Sequence, residues 1–350
     1  MSGERLVLRL SLAAGRVAAV RIRSPRVDVA PLFVGRRPDE AVALARTLFS
    51  LCPMAQSLAL QAACEAACGA ALESSERARR ALALLCERYG EMLRASVLDW
   101  PSDTPPEQAV IADLRTSLTG LRALNGGRRE ALASVSAAAR RLGLDNFQSG
   151  ETFFARQWLD IVADRQDWAI ASVDFLQPAD DVTVARAMDD ASFARAPRLP
   201  GRCLETGALA RSPALGRKQA AADLVERLSA RFADMATTLD AIAALLDGGP
   251  APDDLLSCGV IGPRQGFAAV ETGRGRLYHR LRLDKDERIA ACRIVAPTEW
   301  NFHPEGPLVR QLTGAKIGEG SVARRRAERL AFVFDPCLGI EVVIEENVYA

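Results

Sequence analysis

Histidine is nearly absent from this chain of 350 residues, which contains only His279 and His303. Eight cysteines are present, but no two of them are spaced as a Cys-x-x-Cys pair. A zinc site of ordinary spacing needs several such ligands close together in sequence, so we do not expect one. A hydrolase with a Ser-His-Asp or Cys-His arrangement is also not indicated, because neither histidine has a recognisable companion motif.

The chain also lacks a surplus of one charge and any long apolar run. Lys and Arg number 45 and Asp and Glu number 44, a formal net charge of +1, so nothing indicates nucleic-acid binding. The opening letters MSGERLVLRLSL place charges within the apolar core that a secretory signal would need. The most apolar region, residues 41–72, contains charged and amide side chains and does not predict a membrane span. We therefore expect a cytoplasmic protein that binds neither nucleic acid nor membrane.

The composition is that of a globular protein with a sizeable core, since 49% of the residues are hydrophobic and 25% are charged. No internal repeat or low-complexity linker is visible, so a single domain over residues 1–350 is predicted. Alternating residues around Ala-Ala-Gly predict a β-hairpin within residues 1–30. Residues 38–250 are predicted to be mainly helical, and residues 260–350 to hold strands, a helix and the letters DPC. The predicted class is mainly α with small β elements (α+β).

Helical spacing of apolar residues locates the main helices. They are predicted near residues 39–49, 54–72, 75–96, 127–143, 151–164, 217–247 and 319–330. Thr104 and Glu107 form a capping-box pattern with Pro105 at the first helical position, which predicts a further helix starting there. The runs GFAAVETGRGRLYHRLRLD and ERIAACRIVAP predict antiparallel strands, and residues 175–215 read as irregular.

Two cysteines stand beside prolines. Cys52 precedes Pro53 at the start of an apolar helix, where the helix N-terminus is expected to lower the thiol pKa and favour thiolate. The alternative is that Cys52 is a small buried apolar residue. Cys337 follows Pro336, which is expected to hold Asp335 in extended geometry and to fix the thiol rigidly. The other six cysteines are interpreted as packing residues: Cys64, Cys68, Cys86, Cys203, Cys258 and Cys292.

Two further segments carry candidate binding residues. Arg274 lies between two glycines, which permit close approach of another backbone, and its guanidinium can present a rigid fork of donors to an anionic ligand. The alternative is a hairpin turn with a solvated arginine. Thr298 follows Pro297 at a predicted strand end, so its hydroxyl and amide could face a cleft. The alternative there is a strand-terminating turn with Trp300 packed in the core.

In order along the chain, these motifs resemble the large subunit of nickel–iron hydrogenases. CP stands near the start, followed by ETGALAR, E-x-x-RG-x-L-x-H, PTxWN and finally DPC. The resemblance implies a helical core with an N-terminal β-hairpin and C-terminal antiparallel strands. In that family two Cys-x-x-Cys pairs bind nickel and iron, and the iron carries cyanide and carbon monoxide. Arg274, Pro297 and Thr298 match positions near those diatomic ligands.

Each cysteine pair of the family keeps one cysteine here. The first retains Cys52, with Phe49 at the other position, and the second retains Cys337, with Ile340 at the other. Since soft metals select thiolates, halving the set argues against nickel. Three other positions also depart: Gln56 stands where histidine is usual, Ala30 falls near an expected glutamate, and Val343 replaces the residue that marks a protease site. The tail is therefore expected to be simply retained.

This pattern resembles the HupK/HoxV-type hydrogenase accessory proteins. The resemblance implies an assembly protein without enzymatic activity, in which Cys52 and Cys337 hold an Fe(CN)2CO fragment before its transfer. The implied partners are maturation chaperones and the hydrogenase large-subunit precursor. Two alternatives stay open: a divergent hydrogenase with residual activity, which would bind nickel, and a metal-free structural subunit of a redox complex with the same fold.

Overall fold

The computed structural model describes residues 5–25, 27–164, 173–212 and 222–346. The helices are α1 (Pro38–Leu48), α2 (Pro53–Ala67), α3 (Ser74–Leu98), α4 (Gln108–Asn125), α5 (Ala131–Leu142), α6 (Phe153–Ala163), α7 (Asp181–Ala187), α8 (Ala208–Arg211), α9 (Leu224–Leu246), α10 (Pro297–Asn301), α11 (Pro307–Leu312) and α12 (Gly320–Val333). The strands are β1 (Leu6–Ala13), β2 (Arg16–Arg23), β3 (Asp174–Phe175), β4 (Leu204–Glu205), β5 (Leu256–Gly262), β6 (Gln265–Thr272), β7 (Gly275–Leu283), β8 (Ile289–Val295) and β9 (Ile340–Glu346).

Helix α2 lies at the centre of the molecule, between α1 and the sheet that contains β6 and β7. Most of its side chains are buried, as expected for a helix that is apolar on most faces. At Gly266 of β6, an added Cβ would lie 2.1 Å from the carbonyl oxygen of Ala63. Only glycine therefore allows the strand to approach the helix this closely, and the approach fixes α2 against the sheet.

The main sheet is antiparallel in the order β5-β6-β7-β8. The two runs predicted as strands are confirmed, and the first of them forms both β6 and β7. Strand β5 was not anticipated. The turn between β6 and β7 consists of Gly273 and Arg274, because Thr272 pairs directly with Gly275. Strand β8 leads through Ala296 into α10, so that the segment containing Pro297 and Thr298 lies beside the same end of the sheet. The sheet thus delivers both candidate binding segments to one place.

The N-terminal hairpin of β1 and β2 confirms the predicted one, but it has a third strand. Strand β9 pairs in parallel with β1, with Val342 opposite Leu8 and Ile344 opposite Leu10. The tail after Cys337 is therefore an integral part of a sheet, a role that was not expected for it. Because β9 begins only three residues after Cys337, its pairing with β1 constrains the position of that cysteine.

Most of the predicted helices are confirmed as α1, α2, α3, α5, α6 and α12, although α2 ends at Ala67 rather than near residue 72. The predicted helix start at Pro105 is wrong, because α4 begins at Gln108 after Glu107 in extended geometry. Pro106 explains this difference, since a residue before proline is biased away from helical geometry and Pro105 occupies that position. Of the predicted helix at 217–247, residues 217–221 lie outside the described residues, and the remainder contains α9.

The irregular stretch predicted for residues 175–215 contains short elements within its described part, namely β4, α7 and α8. No helix in the described ranges is long and apolar enough to cross a membrane.

Candidate metal centre

A single cavity of about 210 Å³ is lined by all five residues singled out in the sequence. We call it the site cavity; the five residues are Cys52, Arg274, Pro297, Thr298 and Cys337. They come from the start of α2, the β6–β7 turn, α10 and the segment before β9. The chain therefore brings sulfur atoms from near its two ends into one place, with a guanidinium and a hydroxyl around the same space.

Cys52 occupies the N-cap position of α2 without a capping hydrogen bond from its side chain, and Pro53 occupies the first helical position, where no N–H is needed within the helix. Gln56 lies one turn further along the same face, as the four-residue spacing requires. Its Nε2 donates a hydrogen bond to the sulfur of Cys52 at 3.8 Å. Its Oε1 lies 2.7 Å from Nε2 of His279, a fully buried residue of β7. A polar chain thus runs from the sheet through Gln56 to the thiol.

The expectation that the helix N-terminus lowers the thiol pKa is wrong for Cys52. Burial raises the pKa of Cys52 from 9.0 to about 11, against the lowering effect of Arg274. The end of the helix is already occupied by the carboxylate of Glu87 from α3, which accepts from the backbone N–H groups of Met54 (2.6 Å) and Ala55 (2.8 Å). This negative charge counters the positive helix end and also raises the pKa of Cys52.

Cys337 is positioned by two neighbours: Asp335, which precedes Pro336, and Thr298 of α10. Asp335 has φ of +56°, in the left-handed region, and the expected extended geometry is therefore wrong. A buried ion pair explains this conformation, because Oδ2 of Asp335 accepts from Nη1 of Arg231 at 2.6 Å, and aspartate tolerates the left-handed region better than most residues. Oγ1 of Thr298 lies 3.4 Å from the Cys337 sulfur, so its hydroxyl faces the cavity as expected.

Arg274 does lie in a hairpin turn, but the alternative of a solvated side chain is wrong because it is only 5% exposed. Its Nη2 donates to Glu91 at 3.2 Å, and its Nε lies 4.0 Å from Oδ1 of Asp335. Among the described residues nothing accepts a hydrogen bond from this Nε. Burial opposes its charge, yet Asp335 together with Cys52 and Glu91 raises the pKa of Arg274 above its usual range. The guanidinium is therefore a permanent cation, and its Nε–H has no acceptor among the described residues.

The ETGALAR motif supports the turn that carries Arg274. Oγ1 of Thr206 accepts from the backbone N–H of Arg276 at 2.9 Å, and a Cβ added at Gly275 would lie 2.5 Å from that same oxygen. Arg211 donates to the backbone oxygens of Thr272 (3.1 Å) and Gly273 (3.3 Å). The close backbone approach predicted from the glycines is confirmed, and its partner is the ETG loop.

The remaining cysteines divide by burial. Cys64, Cys86 and Cys292 are buried in the core, which confirms the interpretation as packing residues. Cys203 is half-buried beside a smaller cluster. Cys68 and Cys258 are exposed, so packing does not account for them. Within the part of the chain that the structure describes, no three His, Cys, Asp or Glu side chains come together as a metal site.

Sequence reasoning missed the roles of three residues that lie behind the lining of the site cavity and position it: Glu87, Asp335 and His279. A carboxylate inside the apolar stretch ALALLCERYG is the signal that could have drawn attention to Glu87. Asp335 was noted only as part of DPC, and its partner Arg231 lies in another helix. His279 was noted only as the last residue of the E-x-x-RG-x-L-x-H motif, since its contact with Gln56 joins residues that are remote in sequence.

The fold and the site cavity together define a class of protein. The chain has the fold of the nickel–iron hydrogenase large subunit, as comparison with solved structures shows. It is similar to the reduced Ni-Fe-Se hydrogenase from D. vulgaris Hildenborough, with a TM-score of 0.66, 20% identity, and coverage of 94% of this chain and 95% of that one. It is also similar to an NAD+-reducing [NiFe]-hydrogenase in the H2-reduced state, with a TM-score of 0.60, 14% identity and 93% coverage of each chain.

Curated relatives identify the family, although no model of a known protein family matches the chain. The hydrogenase expression/formation protein HupK of Rhizobium leguminosarum bv. viciae is 40% identical over 96% of this chain and 95% of the relative. HupK of Bradyrhizobium diazoefficiens is 32% identical over 97% and 96%. HoxV of Cupriavidus necator is 27% identical over 97% and 96%. This chain belongs to the HupK/HoxV family of hydrogenase expression/formation proteins.

Proposed function

We propose that this protein is a non-enzymatic assembly factor in hydrogenase maturation, and that it holds an iron–cyanide–carbonyl fragment before transfer. The names of its relatives support the maturation role. The observation that carries the finer proposal is the site cavity itself, where the thiols of Cys52 and Cys337 line open space together with Arg274. A purely structural relative has no need of two thiols and a guanidinium around one open cavity.

The residues fit such a cargo chemically. A fragment with two cyanides and one carbon monoxide brings three strong ligands and needs few from the protein, which matches a cavity with two thiols. Thiolates of Cys52 and Cys337 are ligands suited to iron. The guanidinium of Arg274 and the hydroxyl of Thr298 can hydrogen-bond to cyanide nitrogens, while Pro297 contributes an apolar part of the cavity wall. Two thiolates are too few for nickel, which we do not expect to bind.

Transient holding also fits the raised pKa of the Cys52 thiol. A thiol must lose its proton to bind a metal, so the raised pKa of Cys52 weakens its hold near neutral pH. Such a site releases its cargo more readily than a full set of four thiolates would. The partners in this proposal are the maturation chaperones that deliver the fragment and the hydrogenase large-subunit precursor that receives it, in the cytoplasm.

Infrared spectroscopy tests this function on protein purified after expression with the maturation machinery. Cyanide and carbonyl stretching bands and bound iron are expected in the wild type and should be lost in Cys52→Ala and Cys337→Ala. Cys292→Ala, which removes a buried thiol away from the site cavity, is the matched control and should keep the bands.

Elemental analysis of the same samples separates the alternatives. Bound nickel would indicate a divergent hydrogenase. Absence of both metals and of all diatomic bands, with normal hydrogenase maturation in the double variant Cys52→Ala/Cys337→Ala, would contradict the holding role and favour a structural subunit.

A further inference from the structure

Hydrogen bonds connect His279 of β7 through the Gln56 side chain to the sulfur of Cys52. The donors and acceptors of these groups determine which way the Gln56 amide is oriented. An amide has one acceptor end, Oε1, and one donor end, Nε2. In Gln56, Oε1 lies 2.7 Å from Nε2 of His279 and Nε2 lies 3.8 Å from the sulfur of Cys52. The oxygen can engage His279 only if that imidazole nitrogen carries the proton. The tautomer of His279 therefore determines which end of the amide faces the thiol.

The surroundings leave this chain little freedom. His279 is fully buried, in a strand paired on both sides, opposite Ala268 in β6 and Ile294 in β8. Gln56 is 3% exposed, in the first turn of α2, where its backbone N–H donates to the carbonyl of Cys52 at 3.0 Å. Both side chains are therefore positioned by rigid elements, and the amide can respond to a change at His279 mainly by turning over.

We propose that His279 and Gln56 are positioning residues for the metal cargo, in which His279 locks the Gln56 amide so that only an N–H faces the sulfur of Cys52. An N–H donor suits a metal-bound thiolate, whereas an amide oxygen in its place would repel it. The lock thus presents Cys52 to the cargo as a ligand and withdraws electron density from its sulfur. This inference rests on the proposed function for the identity of the cargo, but the lock itself exists without metal.

Imidazole nitrogen NMR of the metal-free protein tests the lock directly. The chain has only two histidines, so labelling histidine with ¹⁵N gives a simple spectrum, and a His303→Asn variant assigns it. The proton of His279 is expected on Nε2. A proton on Nδ1 would overturn the proposal, because Nε2 would then accept and Gln56 would turn its oxygen toward Cys52.

Variants of the cargo-loaded protein test what the lock does. Gln56→Leu and His279→Leu should lower the cargo's carbonyl stretching frequency, because a thiolate without its N–H donor gives more electron density to the iron. His279→Gln keeps a donor at the Nε2 position and should leave the band in place. Gln61→Leu is the matched control on the same helix, since Gln61 bonds to Glu65 at 2.9 Å and does not line the site cavity.

Two results would overturn the positioning role: an unchanged band in Gln56→Leu, or a shift in His279→Gln as large as that in His279→Leu. A wild-type protein without any bands would contradict the proposed function, while the tautomer of His279 would still decide whether the lock exists.

Discussion

Cys52 is a metal-ligand candidate that its surroundings keep protonated. Burial, helped by the nearby Glu87 carboxylate, raises its pKa to about 11, although Arg274 and the Gln56 amide act to lower it. A reactive catalytic thiol shows the opposite balance, with a pKa depressed toward neutrality. The environment of Cys52 therefore does not favour nucleophilic attack, and in the role proposed above the thiol would exchange its proton for a metal.

The reactivity of Cys52 in the metal-free protein should report this balance. We expect Cys52 to be alkylated by iodoacetamide far more slowly at pH 8 than the exposed Cys68, with a rate that still rises above pH 10. Arg274→Gln should slow the reaction at Cys52 further, because it removes the cation that favours thiolate, and Arg274→Lys should restore much of the rate. Peptide mapping by mass spectrometry measures each cysteine separately.

A rate at Cys52 that levels off below pH 9 would contradict this account. So would an equal response to Arg274→Gln and Arg274→Lys, because it would mean that the charge of Arg274 has no part in setting the thiol pKa.

At the scale of elements, the contact between α2 and α3 depends on a carboxylate with an unusual pKa. Burial raises the pKa of Glu87 to about 7, although the N–H groups of Ala55 and Met54 oppose the shift. A raised pKa in the folded state means that the contribution of Glu87 to stability is fully present below the unfolded pKa of 4.5. The contribution is then lost as the pH rises through about 7.

Urea unfolding at pH 5 and pH 8 checks this sign. Between the two, the wild type should lose roughly 2 to 3 kcal/mol of unfolding free energy that Glu87→Gln does not lose, since one pKa unit corresponds to about 1.4 kcal/mol. Glu73→Gln, at an exposed position before the same helix, is the control and should follow the wild type. A wild-type loss no larger than that of Glu87→Gln would show that Glu87 is not the group responsible.

Strand β9 gives a second test at this scale, because it joins the segment after Cys337 to β1. Val342 is 4% exposed and faces the core, whereas Val343 points to the opposite face beside the exposed Arg9. Val342→Asp would bury an unpaired charge and should cost about 3 kcal/mol or more. The same variant should speed alkylation of Cys337 as β9 separates from β1. Val343→Asp should change both quantities little, and equal effects of the two substitutions would refute the assigned register.

At the scale of the molecule, the sequence predicts local elements well because their signals are local. The alternation of apolar and polar residues predicts the β1–β2 hairpin and the strands β6 to β8. The helical spacing of apolar residues predicts most of the helices. The order of the motifs along the chain indicated the fold and the residues that line the site cavity. That part could be predicted because the resemblance carries long-range information that periodicity does not contain.

The features that the sequence did not predict depend on contacts between residues that are far apart in sequence. The pairing of β9 with β1, the pairing of Asp335 with Arg231, and the place of Glu87 at the start of α2 join separate elements. None of them leaves a periodic signal. The pKa of Cys52 was predicted in the wrong direction for the same reason, since the helix end was visible in the sequence but the burial of the thiol and the carboxylate facing the helix end were not.

Buried ion pairs tie these elements together behind the site cavity. Arg211 of α8 donates to Oδ2 of Asp234 in α9 and to Oε1 of Glu271 in β6, both at 2.6 Å, and also to the backbone of the turn that holds Arg274. Burial raises the pKa of Asp234, but the neighbouring arginines outweigh it and keep the pKa below its usual range. Asp234 also pairs with Arg88, and Glu271 also pairs with Arg276, so removing Arg211 would leave this buried network of ion pairs short of one cation.

Arg211→Met should accordingly lower the free energy of unfolding by about 3 to 5 kcal/mol, the cost of breaking a buried pair on one side. Arg129→Met is the matched control: Arg129 also pairs with an aspartate at α9, Asp247, at 3.3 Å, but both side chains are exposed, so the expected loss is at most about 1 kcal/mol. Urea unfolding at pH 7 measures both. Because Arg211 also binds the turn, the folded fraction of Arg211→Met should retain less iron than that of Arg129→Met, and equal retention would show that the turn holds Arg274 in place unaided.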